Sequence, residues 1–497
     1  MRRMCFFFLC LFLWWSLGGV SLAGELEELK SMVKQLIEQN KALSAKVKEL
    51  ERRLQAYEQR EEARSEGEPA KAALREEGEE KWYDRVEIGL SVASVVQSVV
   101  GVDKDLANVY AHGGREPAGK AGVIMRDEDK AYASASVDLE VTTEFSDTQR
   151  ALVLLEMGSG KNPESEIPSF SGIIDEAISM VPVETDDGDV RISEAWYERD
   201  FPLGRGTLRV RFGKIDITTE VDQNAYANDE NAQFLSPVFI NNPAVEWASY
   251  SLGLVLAYET DTWSLILGYE DADSGWDNLF DYPFLVAQLA FKSNFYSREG
   301  NYRFYVWYQG EKHLEWDELE DYFAGRISQP ENEKAAWGIG LSFDQQLTEN
   351  LGLFFRYGYR ARDLVGYAYF DEDGNFDLDA TNFAYGFKHA FTVGLSLMGG
   401  LWGRCQDEVG FGFAYFVMDD DYEDYWEAKG VYASRIAIDP LHQHAHTVKD
   451  EYHLELYYRL QANENLSLTP DFQYTWNPAG LDDDGFWVFS LRGVWEF

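Results

Sequence analysis

Phe486-Trp-Val-Phe-Ser-Leu-Arg-Gly-Val-Trp-Glu-Phe497 decides how the rest of the chain is read. Alternate positions Trp487, Phe489, Leu491, Gly493, Trp495 and Phe497 form one apolar face. Ser490, Arg492 and Glu496 occupy the other, with Val488 and Val494 between them. Period two means a β-strand with one greasy side and one charged side. In a soluble sandwich the greasy side would meet a core. In an outer-membrane barrel it would meet lipid, with aromatic residues at the interfaces and polar groups in the lumen. A chain that stops on such a strand, at a terminal Phe, favours the barrel.

The same texture recurs upstream. Alternating or apolar runs fall near residues 82–95, 131–144, 149–159, 190–200, 205–215, 248–259, 262–271 and 283–295. Eight more fall near 300–311, 335–347, 350–361, 389–401, 408–418, 451–462, 465–476 and 485–497. Short turns such as Glu259–Thr262 and Ala462–Asn465 alternate with long polar loops, as in an up-and-down barrel with periplasmic turns and extracellular loops. The expected fold is therefore all-β, a 16-stranded antiparallel transmembrane β-barrel over residues 82–497, preceded by an α-helical coiled coil. An even strand count places both barrel ends in the periplasm.

A charge on the lipid face near the midplane costs roughly 2–4 kcal/mol, so charged members of these strands should point into the lumen. Leu208, Val210 and Phe212 oppose Arg209 and Arg211; Leu353, Phe355, Tyr357 and Tyr359 oppose Arg356 and Arg360. Leu454, Leu456 and Tyr458 oppose Glu455 and Arg459; Leu468, Phe472 and Tyr474 oppose Asp471 and Gln473. Arg303, Tyr305, Trp307, Gln309 and Glu311 share one face, where rings beside polar groups could stack on sugars or simply belong to an interfacial girdle. The pore-lining candidates are thus Arg209, Arg211, Arg303, Trp307, Arg356, Arg360, Glu455, Arg459, Asp471, Gln473 and Arg492.

The N-terminus reads as an export signal over residues 1–23. Met1-Arg-Arg is basic, Cys5–Trp15 is an apolar run shorter than the about 20 residues of a membrane helix, and Ser21-Leu22-Ala23 is a small-residue cleavage site. Cys405 alone of three cysteines survives cleavage, which excludes an intramolecular disulfide. Within residues 24–60, Leu26, Val33, Asn40, Val47 and Leu54 take heptad position a, and Leu29, Leu36, Leu43, Leu50 and Tyr57 take d. Attractive pairs Glu25–Lys30, Lys46–Glu51 and Arg53–Glu58 flank this parallel coiled-coil seam. Asn40 suits two strands, whereas Met32 and Ile37 broaden the seam for three; a single amphipathic helix is the alternative. Residues 61–81 read as a charged linker.

The net charge is −43, or −45 once Arg2 and Arg3 leave with the signal, which excludes nucleic acid as a partner. Asp371, Asp373 and Asp377 around Gly374 could hold loop-bound Ca²⁺ but lack the spacing and distal Glu of an EF-hand, so an acidic loop without a cofactor is the plainer reading. His442, His444 and His446 would share a face if extended, without a fixed fourth ligand. No nucleophile elbow or phosphate loop is present, so an enzyme is not expected.

Two segments go beyond pattern. One is Phe212-Gly-Lys-Ile-Asp216 with Asp222-Gln-Asn-Ala-Tyr-Ala-Asn-Asp-Glu-Asn-Ala-Gln-Phe-Leu235 and Phe239-Ile-Asn-Asn-Pro243. The other is Glu455-Leu-Tyr-Tyr-Arg459 with Leu468-Thr-Pro-Asp-Phe-Gln-Tyr474 and Asn477-Pro478. Together they resemble the carbohydrate-selective outer-membrane porins of the OprB type, over about residues 82–497. The resemblance implies passive diffusion of sugars and other small hydrophilic solutes. It transfers no individual pore residue, because no motif marks a constriction loop. Expected partners are outer-membrane lipid, sugars or ions as solutes, and two further copies in a homotrimer. A general or cation-preferring porin, and a tether reaching the cell wall through a periplasmic coiled coil, are the alternatives.

Overall fold

The computed structural model describes residues 85–101, 130–161, 163, 169–171, 190–248, 250–272, 278–295, 297–331, 334–361, 363–366, 369–370, 376–377, 385–427, 448–480 and 485–497. The expected signal segment, coiled coil and linker, together with Asp371, Asp373, His442, His444 and His446, lie outside them.

Sixteen long strands make the wall: β1 (Val86–Val100), β2 (Lys130–Ser146), β3 (Gln149–Gly160), β4 (Arg191–Leu203), β5 (Gly206–Ile215), β6 (Ser251–Glu259), β7 (Trp263–Asp271) and β8 (Pro283–Phe295). The second half is β9 (Arg298–Glu315), β10 (Lys334–Gln346), β11 (Leu351–Ala361), β12 (Phe387–Met398), β13 (Glu408–Met418), β14 (Glu451–Asn463), β15 (Leu466–Trp476) and β16 (Phe486–Glu496). Each pairs antiparallel with its sequence neighbour, and β16 returns to β1 from Ser91↔Glu496 to Val100↔Trp487. The sheet is thereby closed and carries no free edge. Phe497 seals one rim: its N–H donates to the Leu90 carbonyl at 2.9 Å, and its own carbonyl accepts from Leu90 N at 3.1 Å. A three-residue strand, Leu364–Gly366, adds to the outer end of β9.

The period-two pattern sorts side chains as lipid requires. Leu267, Phe304, Val306, Phe411, Phe472, Trp487, Leu491 and Trp495 stand exposed on the outside. Their strand neighbours Ile266, Tyr305, Trp307, Phe486, Ser490 and Arg492 are buried inside. So large an exposed apolar belt would be a liability in water and is what a hydrocarbon boundary needs. No helix among the described residues is long and apolar enough to cross a membrane; the crossing is made by strands.

The interior is not a uniform water channel. The connection between β5 and β6, residues 216–250 and here termed L3, folds into the barrel and brings apolar side chains with it. Ile217, Val221 and Val245 pack on Val255, Ile266, Phe284 and Trp307. Further along, Phe234 and Phe239 pack on Phe354, Phe416 and Tyr457. The Phe234 ring meets Tyr457 edge-on at 5.0 Å and Phe354 at 5.4 Å, a geometry worth about 0.5–1.5 kcal/mol per pair beyond area burial.

Candidate functional site: the loop-narrowed lumen

L3 is held to the wall by polar contacts in three places. At its first stem, Asp222 is fully buried with a left-handed φ of 64°. Its carboxylate accepts from Tyr305 OH at 2.9 Å and Asn242 N at 2.7 Å, and pairs electrostatically with the Arg356 guanidinium, Nε lying 3.0 Å away. Arg356 also donates to the carbonyls of Phe239 at 2.6 Å and Asp222 at 3.0 Å. Burial pushes the Asp222 carboxyl above its ordinary range, against the opposing pull of Arg356, Tyr305 and the Asn242 N–H.

At the second stem, Glu246 repeats the arrangement four residues further along β11. It takes Arg360 Nη2 at 2.6 Å on one oxygen and His313 Nε2 at 2.6 Å on the other. Arg360 lies flat on the Tyr385 ring at 3.6 Å. Both stems thus use an arginine of β11 and a side chain of β9. At the apex the wall binds loop backbone instead. Glu455 of β14 accepts from Leu235 N at 2.5 Å and Ser236 N at 3.0 Å. Arg492 of β16 donates to the Gln233 carbonyl at 2.7 Å and to that of Glu230.

The wall opposite L3 is cut down to receive it. A Cβ added at Gly358 would collide with Asn242 and Ala244, and one at Gly352 with the Tyr226 ring. One at Gly412 would lie 2.7 Å from Phe239. These glycines stand at inward positions of β11 and β13, where side chains of L3 lie directly against the strand backbone.

This arrangement corrects part of the sequence-based assignment. Trp307, Arg356, Arg360, Glu455, Asp471, Gln473 and Arg492 point inward as expected, yet each is at most 2 % exposed. Arg356, Arg360, Glu455 and Arg492 bind L3 directly, and Gln473 Nε2 donates to Asp471 at 3.1 Å. None of the seven touches open lumen, because period two gives the direction of a side chain and not what covers it. Asp377 lies in the short strand Phe376–Asp377.

Arg209, Arg211, Arg303 and Arg459 keep some exposure, with side chains 19, 10, 13 and 19 % accessible. Arg303 pairs with Asp344 at 2.6 Å, and Arg459 with Glu408 at 3.0 Å. Arg209 and Arg211 share a mixed-charge wall on β4 and β5. Arg211 meets Glu198 and Glu220, each at 2.8 Å, and lies 4.0 Å over the Trp196 ring. Arg209 reaches Glu259 at 3.2 Å and bonds Glu220. Burial lifts the Glu220 carboxyl, although Arg211 and Arg209 both pull it down. On the loop itself, Thr219, Ala225 and Asp229 are exposed and Gln223, Asn228 and Asn231 half-buried.

At the long-loop rim the charge is negative. Asp363, Asp419 and Asp421 bring one oxygen each within 4.8 Å of one another. Lys388 Nζ sits among them, 2.6 Å from Asp363 and 3.6 Å from Asp419. Burial and the neighbouring Asp363 raise Asp419 to about 6 and Asp421 to about 7.

Closed barrel, apolar belt and charged, loop-narrowed interior define a channel of the outer membrane. A family model described as the carbohydrate-selective porin, OprB family, matches residues 125–497, and the chain belongs to that family. A structure of OprB from Pseudomonas putida at high pH superposes with a TM-score of 0.60 at 17 % identity, covering 83 % of this chain and 94 % of that one. The outer membrane channel DcaP of Acinetobacter baumannii gives 0.43 at 12 % identity, covering 83 % and 97 %. An uncharacterized protein of Aquifex aeolicus (strain VF5) is 30 % identical over 186 residues, 37 % of this chain and 49 % of that one, so the chain spans about half the length of that relative.

Proposed function

We propose that the protein is an outer-membrane porin through which sugars and other small hydrophilic solutes diffuse passively. The mixed-charge wall carries this reading: Arg209 and Arg211, paired with Glu198, Glu220 and Glu259, face a lumen narrowed by an amide-bearing loop. Paired charges offer donors and acceptors together, which suits a polyhydroxylated solute better than a bare ion. Arg303 and Arg459 are the remaining pore-surface candidates, on the short-turn side. Planar-bilayer conductance titrated with sugar tests the reading. Concentration-dependent block supports it, and unblocked current at every sugar concentration sinks it.

A cation-preferring porin is the second reading, and the acidic rim at Asp363, Asp419 and Asp421 favours it. A trimer is supported by the outer surface. From Ile88 to Ser159 the outward positions of β1–β3 carry Ile, Leu, Val, Ala, Ser, Thr and Met, apart from Phe145 near a turn. The outward faces of later strands are rich in Phe, Tyr and Trp. A sector without the interfacial aromatics fits contact with neighbouring copies better than lipid. Native mass measurement in detergent gives three copies on this reading; a monomer refutes it. The periplasmic coiled coil, and its contact with the cell wall, belong to the same proposal and are tested by deleting residues 25–60.

A further inference from the structure

Arg199 of β4 breaks the pattern set by the arginines of β5, β11, β14 and β16 described above: it faces outward. It stands opposite Gln149 on one side and Val210 on the other, and Val210 alternates with the exposed Phe212 on the outer surface. Its side chain is exposed, and among the described residues it makes no ion pair. Its guanidinium lies instead 5.0 Å over the ring of Phe201, two residues nearer the short turn. The side chain therefore leans away from the hydrocarbon and towards the rim. A bare charge on the lipid face is costly at the midplane and tolerable near the interface, where headgroups can answer it.

The surroundings of Arg199 suit a phosphate and a hydrocarbon chain together. Phe201 and Leu203 stay exposed and carry the apolar belt to the end of β4, and Arg205 is exposed at the tip of the turn that follows. Tyr197 donates its hydroxyl to Gln149 Oε1 at 2.8 Å, which leaves the Gln149 amide N–H groups for another acceptor. Towards the middle of the barrel, Ala151, Val153 and Ala195 form a low floor beside the Tyr197 and Phe212 rings. The charge balance is local and unusual. In a chain of net charge −43, the two short turns at this corner, Ser146–Gln149 and Leu203–Gly206, hold one carboxylate between them, Asp147.

We propose that Arg199, Gln149 and Arg205 bind the headgroup of an anionic phospholipid in the leaflet on the short-turn side. The planar guanidinium of Arg199 takes the phosphate diester through two N–H groups, and Gln149 adds a neutral donor. Arg205 supplies the second positive charge that favours an anionic head over a zwitterionic one. One acyl chain lies on the Ala151–Val153–Ala195 floor, in continuity with the lipid belt. The site borders the β1–β3 sector, so the bound lipid stands at the edge of the surface offered above for subunit contact.

The test uses the full chain in nanodiscs of phosphatidylglycerol and phosphatidylcholine in equal parts, with the lipids that leave bound to the protein counted by native mass spectrometry. The wild type is expected to retain phosphatidylglycerol in preference. Arg199→Gln should lower the ratio of the two lipids about fivefold, the worth of one basic residue near an anionic surface. Arg199→Lys keeps the charge without the fork and should fall between them. Arg298→Gln removes an arginine at another short turn, one paired with Glu349 at 3.6 Å, and should change nothing. If Arg199→Gln fails to assemble, Gln149→Ala and Arg205→Gln carry the test, each lowering the ratio. No preference in the wild type overturns the proposal, as does an undiminished ratio in the assembled variants. An equal fall in Arg298→Gln also overturns it, since net charge alone would then be the cause. Displacement of the lipid by inorganic phosphate would mark a plain anion site and refute the lipid assignment.

Discussion

Asp222 and Arg356 show what the interior demands of single residues. Each is sealed from water, and each is tolerable only because the other, Tyr305 and two backbone groups satisfy it. Breaking a buried pair from one side leaves an uncompensated charge and costs about 3–5 kcal/mol. We expect Arg356→Met to lower the denaturation midpoint of the folded barrel accordingly, and Arg356→Met with Asp222→Asn to recover most of the loss. Equal destabilisation in the double variant would show that packing, and not the charge, is what matters. Asp419 and Asp421 behave oppositely to a salt-bridged carboxylate. Their folded values of about 6 and about 7 exceed the ordinary 3.8, so the native rim binds more protons than the unfolded chain across that interval. The stability they lend is present in acid and is lost as pH rises through 6 to 7. Proteolysis at the rim, within residues 363–366 and 419–427, should accelerate as pH rises to about 7, and Asp421→Asn should flatten that rise. A profile identical to wild type would refute the assignment.

At the scale of elements, the strands were legible and the loop was not. All sixteen runs expected from alternation correspond to barrel strands, and 408–418 and 283–295 coincide end for end with β13 and β8. Alternation reads well here because lipid on one side and polar groups on the other impose the same period on every strand. L3 has no such regularity. Its anchors join Asp222 to Arg356 and Leu235 to Glu455, across more than a hundred residues, and half of them are backbone groups that no side-chain pattern reveals. A trace did exist in the sequence. Gly352, Gly358 and Gly412 fall on the inward face of β11 and β13, where a Cβ would meet Tyr226, Asn242 and Phe239 of L3. The segment Asp222–Leu235, quoted above for its family likeness, is part of L3, the loop that folds into the barrel. Gly358→Val should therefore displace L3 and change single-channel conductance more than thermal stability. Unaltered conductance in an assembled variant would mean that the loop can shift around an isopropyl group. Phe497 is tied by two hydrogen bonds to Leu90, so its deletion should reduce the yield of heat-modifiable barrel rather than the current per channel. Full yield with altered current would contradict this.

For the whole molecule, the distribution of charge separates two roles. Inside, Arg209 and Arg211 are balanced by Glu198, Glu220 and Glu259; outside, a chain of net charge −43 gathers carboxylates at the long-loop rim. Balanced charges should govern contact with neutral solutes, and unbalanced ones the ionic atmosphere. Reversal potentials in a salt gradient should then be cation-biased at low salt and approach zero as screening shortens to about 3 Å near 1 M. Replacing Asp363, Asp419 and Asp421 with Asn should weaken that bias and leave sugar block intact. A bias insensitive to salt would place its origin deep in the pore, at Glu198, Glu220 and Glu259.

The position of Arg492 on β16 also bears on the order of assembly. β16 is the strand that meets β1, and its guanidinium bonds the Glu230 and Gln233 carbonyls of L3. A barrel that zipped shut with L3 still outside would leave that guanidinium hydrated in an open lumen, and later entry of the loop would have to strip the water from it. Insertion of the loop is therefore favoured to precede, or to accompany, the final seam. The seam then acts as a proofreading step, since only a correctly threaded intermediate offers its last strand the Glu230 and Gln233 carbonyls.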